Sequence, residues 1–465
     1  MSSSNDEKDP KKTICRELWG YPVIELTRPR IRTCCRRGGE VIDEKTLSEL
    51  GTDVFLNLPA TVEDRVALMK GEKIDACKVC WNMEDEGLRS WRLGAPDWQY
   101  HFNKRGALQT KEEFRSFDNL ITQHDNPAIT KSTEPYKLDI SLGTFCDLKC
   151  LYCNSDYSTS WESETKKFGA MFEDPSRSTP FTAPGINSLT IPGYFEKFLE
   201  WFDEIYMHLD RIALMGGEPT YSPLFEKLTD HIVSRLQISA RKDSGLTIVT
   251  NLNWPQRTLD YVISLRERLP PSVNLILEVS MESHGRKAEY IRNGVNWERF
   301  HYNLKKVAII DGIEIKLLPT LNALCLTSLV EYLEMIREIE VISGKVFETI
   351  ANMVTYPKWL SFDILDQKYS IYAAKAMAWI TITYSQEEAQ KKVKLMRMLT
   401  TIKQELNKEH SKQSVAYFYR WISEIDKRRG QNFLEVFPEM KDLYELGKAY
   451  QDDRSIIIDM EYLKL

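Results

Sequence analysis

A chain of 465 residues exceeds the size at which one hydrophobic core keeps growing, so two or three domains are expected. Its 42% hydrophobic and 28% charged residues are ordinary for a soluble globular protein, and no apolar run approaches the roughly 20 residues that span a bilayer. The net charge of −6 supplies no global attraction to nucleic acid, and the polar stretch Met1 to Lys12 lacks the apolar core of a signal peptide, so a cytoplasmic protein without membrane partners is expected.

The polar tail, 1–12, leads into a first segment, 13–108, with few periodic elements beyond a helix over Thr61–Lys70. It holds Cys15, Cys34, Cys35, Cys77 and Cys80, and a basic run of Arg28, Arg30, Arg32, Arg36 and Arg37. That run reads as a solvated loop, or as a contact for RNA if it lines a groove at the barrel mouth. A reducing cytosol disfavours disulfides, so clustered cysteines there point to metal. The segment is expected to be a small, loop-rich, metal-binding module, joined to the rest by a polar linker over 109–135.

From Tyr136 the pattern turns to short apolar runs alternating with longer amphipathic ones. Strands are expected over Leu138–Leu142, Ile212–Met215, Leu246–Thr250, Leu275–Ser280, Ile313–Pro319 and Val346–Ala351. Helices are expected over Tyr194–His208, Leu224–Leu236, Leu259–Arg268, Trp297–Ile310 and Ser328–Ile342. Successive strand–helix units imply an α/β fold with a parallel sheet: a partial (β/α)6 TIM-like barrel over 136–365, with a doubly wound sheet as the other solution. One connection is far longer. From Cys153 to Pro192 the chain is rich in Ser, Thr and Pro and reads as a lid or a disordered stretch, with Trp161, Phe168, Phe172 and Phe181 as something to bury. The last part, 366–465, reads as helical: Ser385 and Glu388 make a capping box before Ala389, Val393, Met396, Leu399, Ile402 and Leu406, and a second helix carries Phe418, Ile422 and Ile425.

Cys146-Asp147-Leu148-Lys149-Cys150-Leu151-Tyr152-Cys153 directly follows the first of these strands, at the strand end where parallel α/β folds place their ligands. Three closely spaced thiolates can wrap one face of an iron–sulfur cubane and leave one iron without a protein ligand. Zinc is the competing reading, but it wants a fourth ligand, and no other His or Cys is close in sequence. The second strand runs into Met215-Gly216-Gly217-Glu218-Pro219-Thr220, the third ends at Thr250-Asn251, the fourth at Ser280-Met281-Glu282, and Tyr290-Ile291-Arg292-Asn293-Gly294 follows.

C-x3-C-x2-C with an aromatic before the last Cys, then Gly-Gly-Glu-Pro one strand–helix unit later, resembles the radical-SAM superfamily over roughly 136–363. The resemblance implies a [4Fe–4S] cluster on Cys146, Cys150 and Cys153, with S-adenosylmethionine chelated at the open iron. Reductive cleavage would give a 5′-deoxyadenosyl radical that abstracts hydrogen from substrate, with a flavodoxin or ferredoxin as electron donor. It also implies that Tyr152 packs near the adenine, and that Gly216, Gly217, Glu218 and Pro219 meet the methionyl amino group. Asn251, Ser280, Glu282 and Arg292 would lie against the cofactor, the last three at ribose or carboxylate. For Ser280 and Glu282 strand-end hydrogen bonding is the plain alternative, and for Arg292 a surface ion pair.

Cys77-Lys78-Val79-Cys80-Trp81 with Glu84, Gly87, Ser90 and Arg92 resembles the auxiliary-cluster modules of that superfamily, called SPASM and twitch, although such modules commonly follow the barrel. The resemblance implies a second [4Fe–4S] cluster on Cys15, Cys77, Cys80 and one of Cys34 or Cys35, with a zinc knuckle on the same cysteines as the alternative. Cys325, alone after the fifth strand, is either a buried thiol or a hydrogen-atom donor. By analogy with auxiliary-cluster members, the substrate is expected to be a peptide or protein. Modification of a nucleotide, sugar or RNA is the second reading, and a non-catalytic iron–sulfur or zinc protein the third.

Overall fold

The computed structural model describes residues 10–87, 90, 92–93, 126, 130–132, 134–169, 171, 191–240 and 244–453. Three strands come from the first segment: β1 (Pro22–Glu25), β2 (Arg30–Thr33) and β3 (Glu40–Val41). They are followed by β4 (Lys137–Ser141), β5 (Lys149–Cys150), β6 (Arg211–Met215), β7 (Gly245–Thr250), β8 (Asn274–Val279), β9 (Arg292–Asn293), β10 (Ile313–Leu317), β11 (Thr320–Leu321), β12 (Glu348–Thr349) and β13 (Asn352–Met353).

The main sheet has the order β12-β10-β8-β7-β6-β4-β1-β2-β3. From β4 to β12 every neighbouring pair is parallel, and spatial order follows chain order. Winding in one direction, with crossovers of the usual hand, puts the crossover helices on one face and curls the sheet into a partial barrel. Those helices are Tyr194–Ile205, Phe225–Ile238, Gln256–Arg268, Trp297–Ala308 and Leu329–Ser343, close to the expected bounds. Ile212, Ala213 and Leu214 on β6, and Leu275, Ile276 and Leu277 on β8, are buried at successive positions, as in strands covered on both faces.

The first segment carries more regular structure than its sequence suggests. β1 pairs in parallel with β4 (Val23 opposite Asp139) and antiparallel with β2, so β1–β3 extend the barrel sheet at its free edge. The expected helix is present as Pro59–Met69. Its Arg65 is fully buried, donating to the carbonyls of Leu18 and Leu56 and to Asn57 Oδ1. Ile14, Leu18, Trp19, Leu68, Met69 and Trp81 form a small apolar cluster separate from the main core.

At the other end, helices Ser370–Thr383, Val393–Glu405, Lys412–Arg429 and Lys441–Asp452 pack on the barrel. The Ser385–Glu388 capping box is present, but it opens the short helix Gln386–Ala389 before the longer one begins. Phe418, Ile422 and Ile425 are fully buried, as their spacing implied. A buried ion pair, Lys392 to Glu340 at 2.8 Å, ties this region to the last crossover helix, and Lys392 also donates to Phe347 O next to β12.

Candidate functional site

Cys146, Cys150 and Cys153 lie on the loop after β4, at the carboxyl end of the parallel strands. The backbone of the Gly-Gly-Glu turn holds that loop from one side. Gly217 N–H donates to Gly143 O (2.9 Å) and Glu218 N–H to Phe145 O (2.6 Å). Gly216 adopts φ 142°, and a Cβ on Gly217 would lie 2.5 Å from Phe145 O and 2.9 Å from Cys146 Cβ. What these glycines approach so closely is the cysteine loop itself. From the other side, β5 pairs antiparallel with β9, which sets Cys150 opposite Arg292 and Lys149 opposite Asn293.

Asp147 fastens the loop to β7. It accepts from Asn251 Nδ2 (2.8 Å) on one oxygen and from Asn253 Nδ2 (2.7 Å) on the other. Between those asparagines Leu252 is buried with φ 58°, a left-handed backbone that is strained for a residue carrying a Cβ. Asn251 N–H donates in turn to Glu218 Oε2 (2.7 Å), and Thr250 Oγ1 and Thr220 Oγ1 donate to Oε1 at 3.0 and 2.7 Å. Burial pushes the Glu218 carboxyl up to about 7, against the pull of these donors. Pro219 begins the short 3₁₀ turn after it, and Ser280, at the end of β8, donates its N–H to Thr250 O (2.8 Å).

Tyr152, Glu282 and Arg292 form one buried network. Tyr152 Oη donates to Glu282 Oε1 (2.9 Å), and the Arg292 guanidinium grips Glu282 through Nε (3.1 Å to each oxygen) and Nη2 (2.6 Å). The surface ion pair considered for Arg292 is therefore an interior one: Arg292 is 5% exposed and Glu282 0%. Arg292 Nη1 lies 3.9 Å from Cys150 Sγ. Burial alone would lower the guanidinium, but Glu282 outweighs it and holds Arg292 protonated well above its ordinary value. Burial pushes the thiols the other way, Cys150 to about 11, Cys153 to about 12 and Cys146 further still. Negative charge on Cys150 raises Cys146 and Cys153, so both outer sulfurs sense the middle one, while Arg292 lowers Cys150 and Cys153. Such thiols give up their protons to a metal that supplies positive charge in exchange. Among the described residues no three His, Cys, Asp or Glu side chains are grouped as for one bound metal ion; a cubane spreads its thiolates over separate irons.

The long connection after Cys153 begins as a brace. Helix Thr159–Phe168 starts against the cysteine loop, with Ser158 Oγ donating to Leu148 O (2.7 Å), Ser160 Oγ to Cys146 O (2.8 Å) and Trp161 Nε1 to Cys150 O (2.8 Å). Trp161 is thus buried beneath the loop, while Phe168 is exposed and Phe172 and Phe181 lie outside the described residues. Glu164 receives Lys149 (2.6 Å) and Arg429 (3.1 Å), the latter from the last turn of Lys412–Arg429. Sequence reasoning missed Asp147, Asn253, Glu164 and Arg429. Only the Asn-Leu-Asn after β7, an amide pair two residues apart, offered a signal. Cys325 is fully buried and donates to Asn322 O (3.2 Å).

In the first segment, Cys15, Cys34, Cys77 and Cys80 line one cavity with Arg36, Arg37 and Arg92. Cys35 does not line it. Cys35 is exposed, and a hydrogen bond from Cys34 draws its thiol down to about 7. Cys34 holds φ 77°, a left-handed conformation that is strained for a residue carrying a Cβ. Burial raises Cys15 to about 12 and Cys77 to about 11. Around them Glu84 accepts from Ser90 and Arg92, Arg92 stacks on Trp81 at 4.3 Å, and Arg37 pairs with Asp64. Cys34 N–H bonds Tyr21 O just before β1, so this cavity lies at the amino end of the sheet, opposite the Cys146 loop. The five residues of β4 put about 17 Å of strand between the two ends. The basic run divides accordingly: Arg30 and Arg32 stand on β2, while Arg36 and Arg37 turn to the cavity.

No protein-family model matches the chain, and no curated protein matches it. Among solved structures it is similar to anSMEcpe with bound AdoMet, at 16% identity and a TM-score of 0.34 over 53% of this chain. The match spans 60% of the anSMEcpe chain. It is also similar to Streptococcus suis SuiB, at 12% identity and a TM-score of 0.36 over 78% of this chain and 68% of that one. With SuiB bound to its precursor peptide SuiA the figures are 12% and 0.32, over 90% and 73%.

Proposed function

We propose that this chain is a radical-SAM enzyme that holds a [4Fe–4S] cluster on Cys146, Cys150 and Cys153, binds S-adenosylmethionine at the carboxyl end of the barrel, and acts on a peptide or protein. The observation that carries the reading is convergence. The C-x3-C-x2-C loop, the Gly-Gly-Glu-Pro turn and the Arg292 segment are far apart in sequence, yet the last two both hydrogen-bond to the backbone of the first. The donor set fits a thiolate-ligated cluster, with Cys150 buried, Cys146 and Cys153 half-buried and each sensing the charge of Cys150, and a guanidinium against that middle thiol. When bound, the cluster and S-adenosylmethionine supply a 5′-deoxyadenosyl radical for hydrogen abstraction.

The chain's own residues orient and shield. Arg292 favours thiolate over thiol at Cys150 and, with Glu282, fixes the ring of Tyr152. Glu218 and Asp147 tie the loop to the ends of β6 and β7, so the thiols are held by the barrel rather than by a free loop. The second cavity is proposed to hold an auxiliary [4Fe–4S] cluster on Cys15, Cys34, Cys77 and Cys80. The peptide or protein substrate follows by analogy with members that carry such modules. The RNA reading asks for the Arg28–Arg37 run to line a groove at the barrel mouth, whereas Arg36 and Arg37 line the cavity at the amino end of the sheet.

Anaerobic reconstitution with iron and sulfide tests this. A brown protein that makes 5′-deoxyadenosine from S-adenosylmethionine under dithionite supports it, with Cys150→Ala abolishing the product and Cys77→Ala leaving uncoupled cleavage measurable. A colourless protein that takes up only zinc and cleaves nothing sinks it.

A further inference from the structure

Behind the cysteine loop lies a groove of about 510 Å³, lined by Lys149, Glu164, Lys167, Phe168, Arg428 and Arg429 with Ser160, Ser163 and Asn293. Of the four cations there, Lys149 and Arg429 pair with Glu164 and Arg428 pairs with Glu424 outside the lining. The groove is the reverse side of the β5–β9 ladder. Side chains alternate across a strand, so Cys150 and Arg292 face the thiol site while their neighbours Lys149 and Asn293 face the groove. Between the groove and Cys150 stands Trp161. Its indole donates to Cys150 O on one side and carries the Arg429 guanidinium at 4.7 Å on the other.

Cations at the ends of Thr159–Phe168 and Lys412–Arg429 also offset the helix dipoles. That role calls for neither a concave surface nor an aromatic at its edge. Phe168, 43% exposed, has Lys167 at 4.8 Å and Arg428 at 5.7 Å from its ring. Exposed Lys166 and Lys427 pair with Glu162 and Glu424, so the rim sets six cations against three carboxylates and stays net positive.

We propose that this groove docks an acidic, flavin-bearing electron carrier of the flavodoxin kind, a proposal that rests on the radical-SAM reading. A positive rim suits an acidic protein, and a flat aromatic within it suits the exposed edge of a flavin, which a ferredoxin does not present. One electron leaves the anionic reduced flavin and enters the cluster beside Cys150, and no proton need cross. Delivery from behind the loop leaves the barrel mouth to S-adenosylmethionine and substrate.

The test uses the reconstituted enzyme, one purified flavodoxin and one ferredoxin of similar net charge, with Lys167→Glu and Lys427→Glu as variants. Expected are salt-dependent flavodoxin binding that each variant weakens by about tenfold, and slower cluster reduction by reduced flavodoxin with an unchanged rate under dithionite. Variants that bind and accept electrons from flavodoxin like the parent overturn the proposal, as does a ferredoxin that alone responds to the substitutions. If dithionite yields no 5′-deoxyadenosine while flavodoxin binding still responds to Lys167→Glu, the docking face stands and the radical reading fails. Product under dithionite with flavodoxin indifferent to the groove means the reverse: the radical reading stands and the docking face fails.

Discussion

Asp147 shows how a cysteine loop becomes a rigid platform. Each of its oxygens accepts a separate amide, from Asn251 and Asn253, and both amides are needed to hold the peptide between Cys146 and Leu148. Asp147→Ala strands both, so a loss of about 2–3 kcal/mol in urea unfolding is expected together with reduced iron after reconstitution. Arg292 is a harsher case. Arg292→Met leaves the fully buried Glu282 carboxylate uncompensated, an expected cost of about 3–5 kcal/mol, and adding Glu282→Met recovers most of it. If the single and double variants unfold at the same urea concentration, the pair is not what pins this end of the barrel. The cysteines, Glu218 and Arg292 were legible because their spacing is written in the sequence. The side chains that anchor them were not: Asp147 meets Asn251 and Asn253 only after β4 and β7 have been brought to the same end of the sheet.

At the scale of elements, β4 is the seam between the barrel and the three strands before it. Lys137 opens that strand, buried against the Tyr21 and Tyr136 rings and 3.7 Å from Glu17. Burial pulls its ammonium down to about 8 from the ordinary 10.5, with Glu17 opposing. The unfolded chain therefore binds the extra proton between those values, and stability rises with pH across that window and is lost again as pH falls to about 8. The gain is about 3 kcal/mol, and Lys137→Met should flatten it; urea titrations of both proteins from pH 8 to 10.5 measure the difference. The six barrel strands could be read in advance because strands covered on both faces appear as apolar runs between breakers. β1–β3 could not. They are two to four residues long, set among cysteines and arginines, and Val23 and Ile24 become strand by pairing with Asp139 and Ile140 on one side and Arg32 and Ile31 on the other. The start of the long connection after Cys153 was hard to read for a related reason: Trp161 signals burial, but not that its partner is the loop just upstream, while most of the connection lies outside the described residues.

Over the whole molecule the two cysteine groups occupy opposite ends of one sheet, which separates their chemistry. Cys34→Ser should remove metal from the amino-end cavity, whereas Cys35→Ser, at an exposed thiol outside the cavity lining, should not. Iron and zinc counts on the two variants check this, and equal losses would mean that both thiols reach the same metal. The brace around the Cys146 loop bears on how such a protein matures. The loop takes its shape from Trp161, then Glu218, Asn251 and Arg292, and finally from Arg429 through Glu164. A ribosome has passed Arg429, more than 270 residues beyond Cys153, before the last of these contacts exists. A carrier arriving earlier would find the thiols without this brace, so loading is expected to follow synthesis of the helix that bears Arg429.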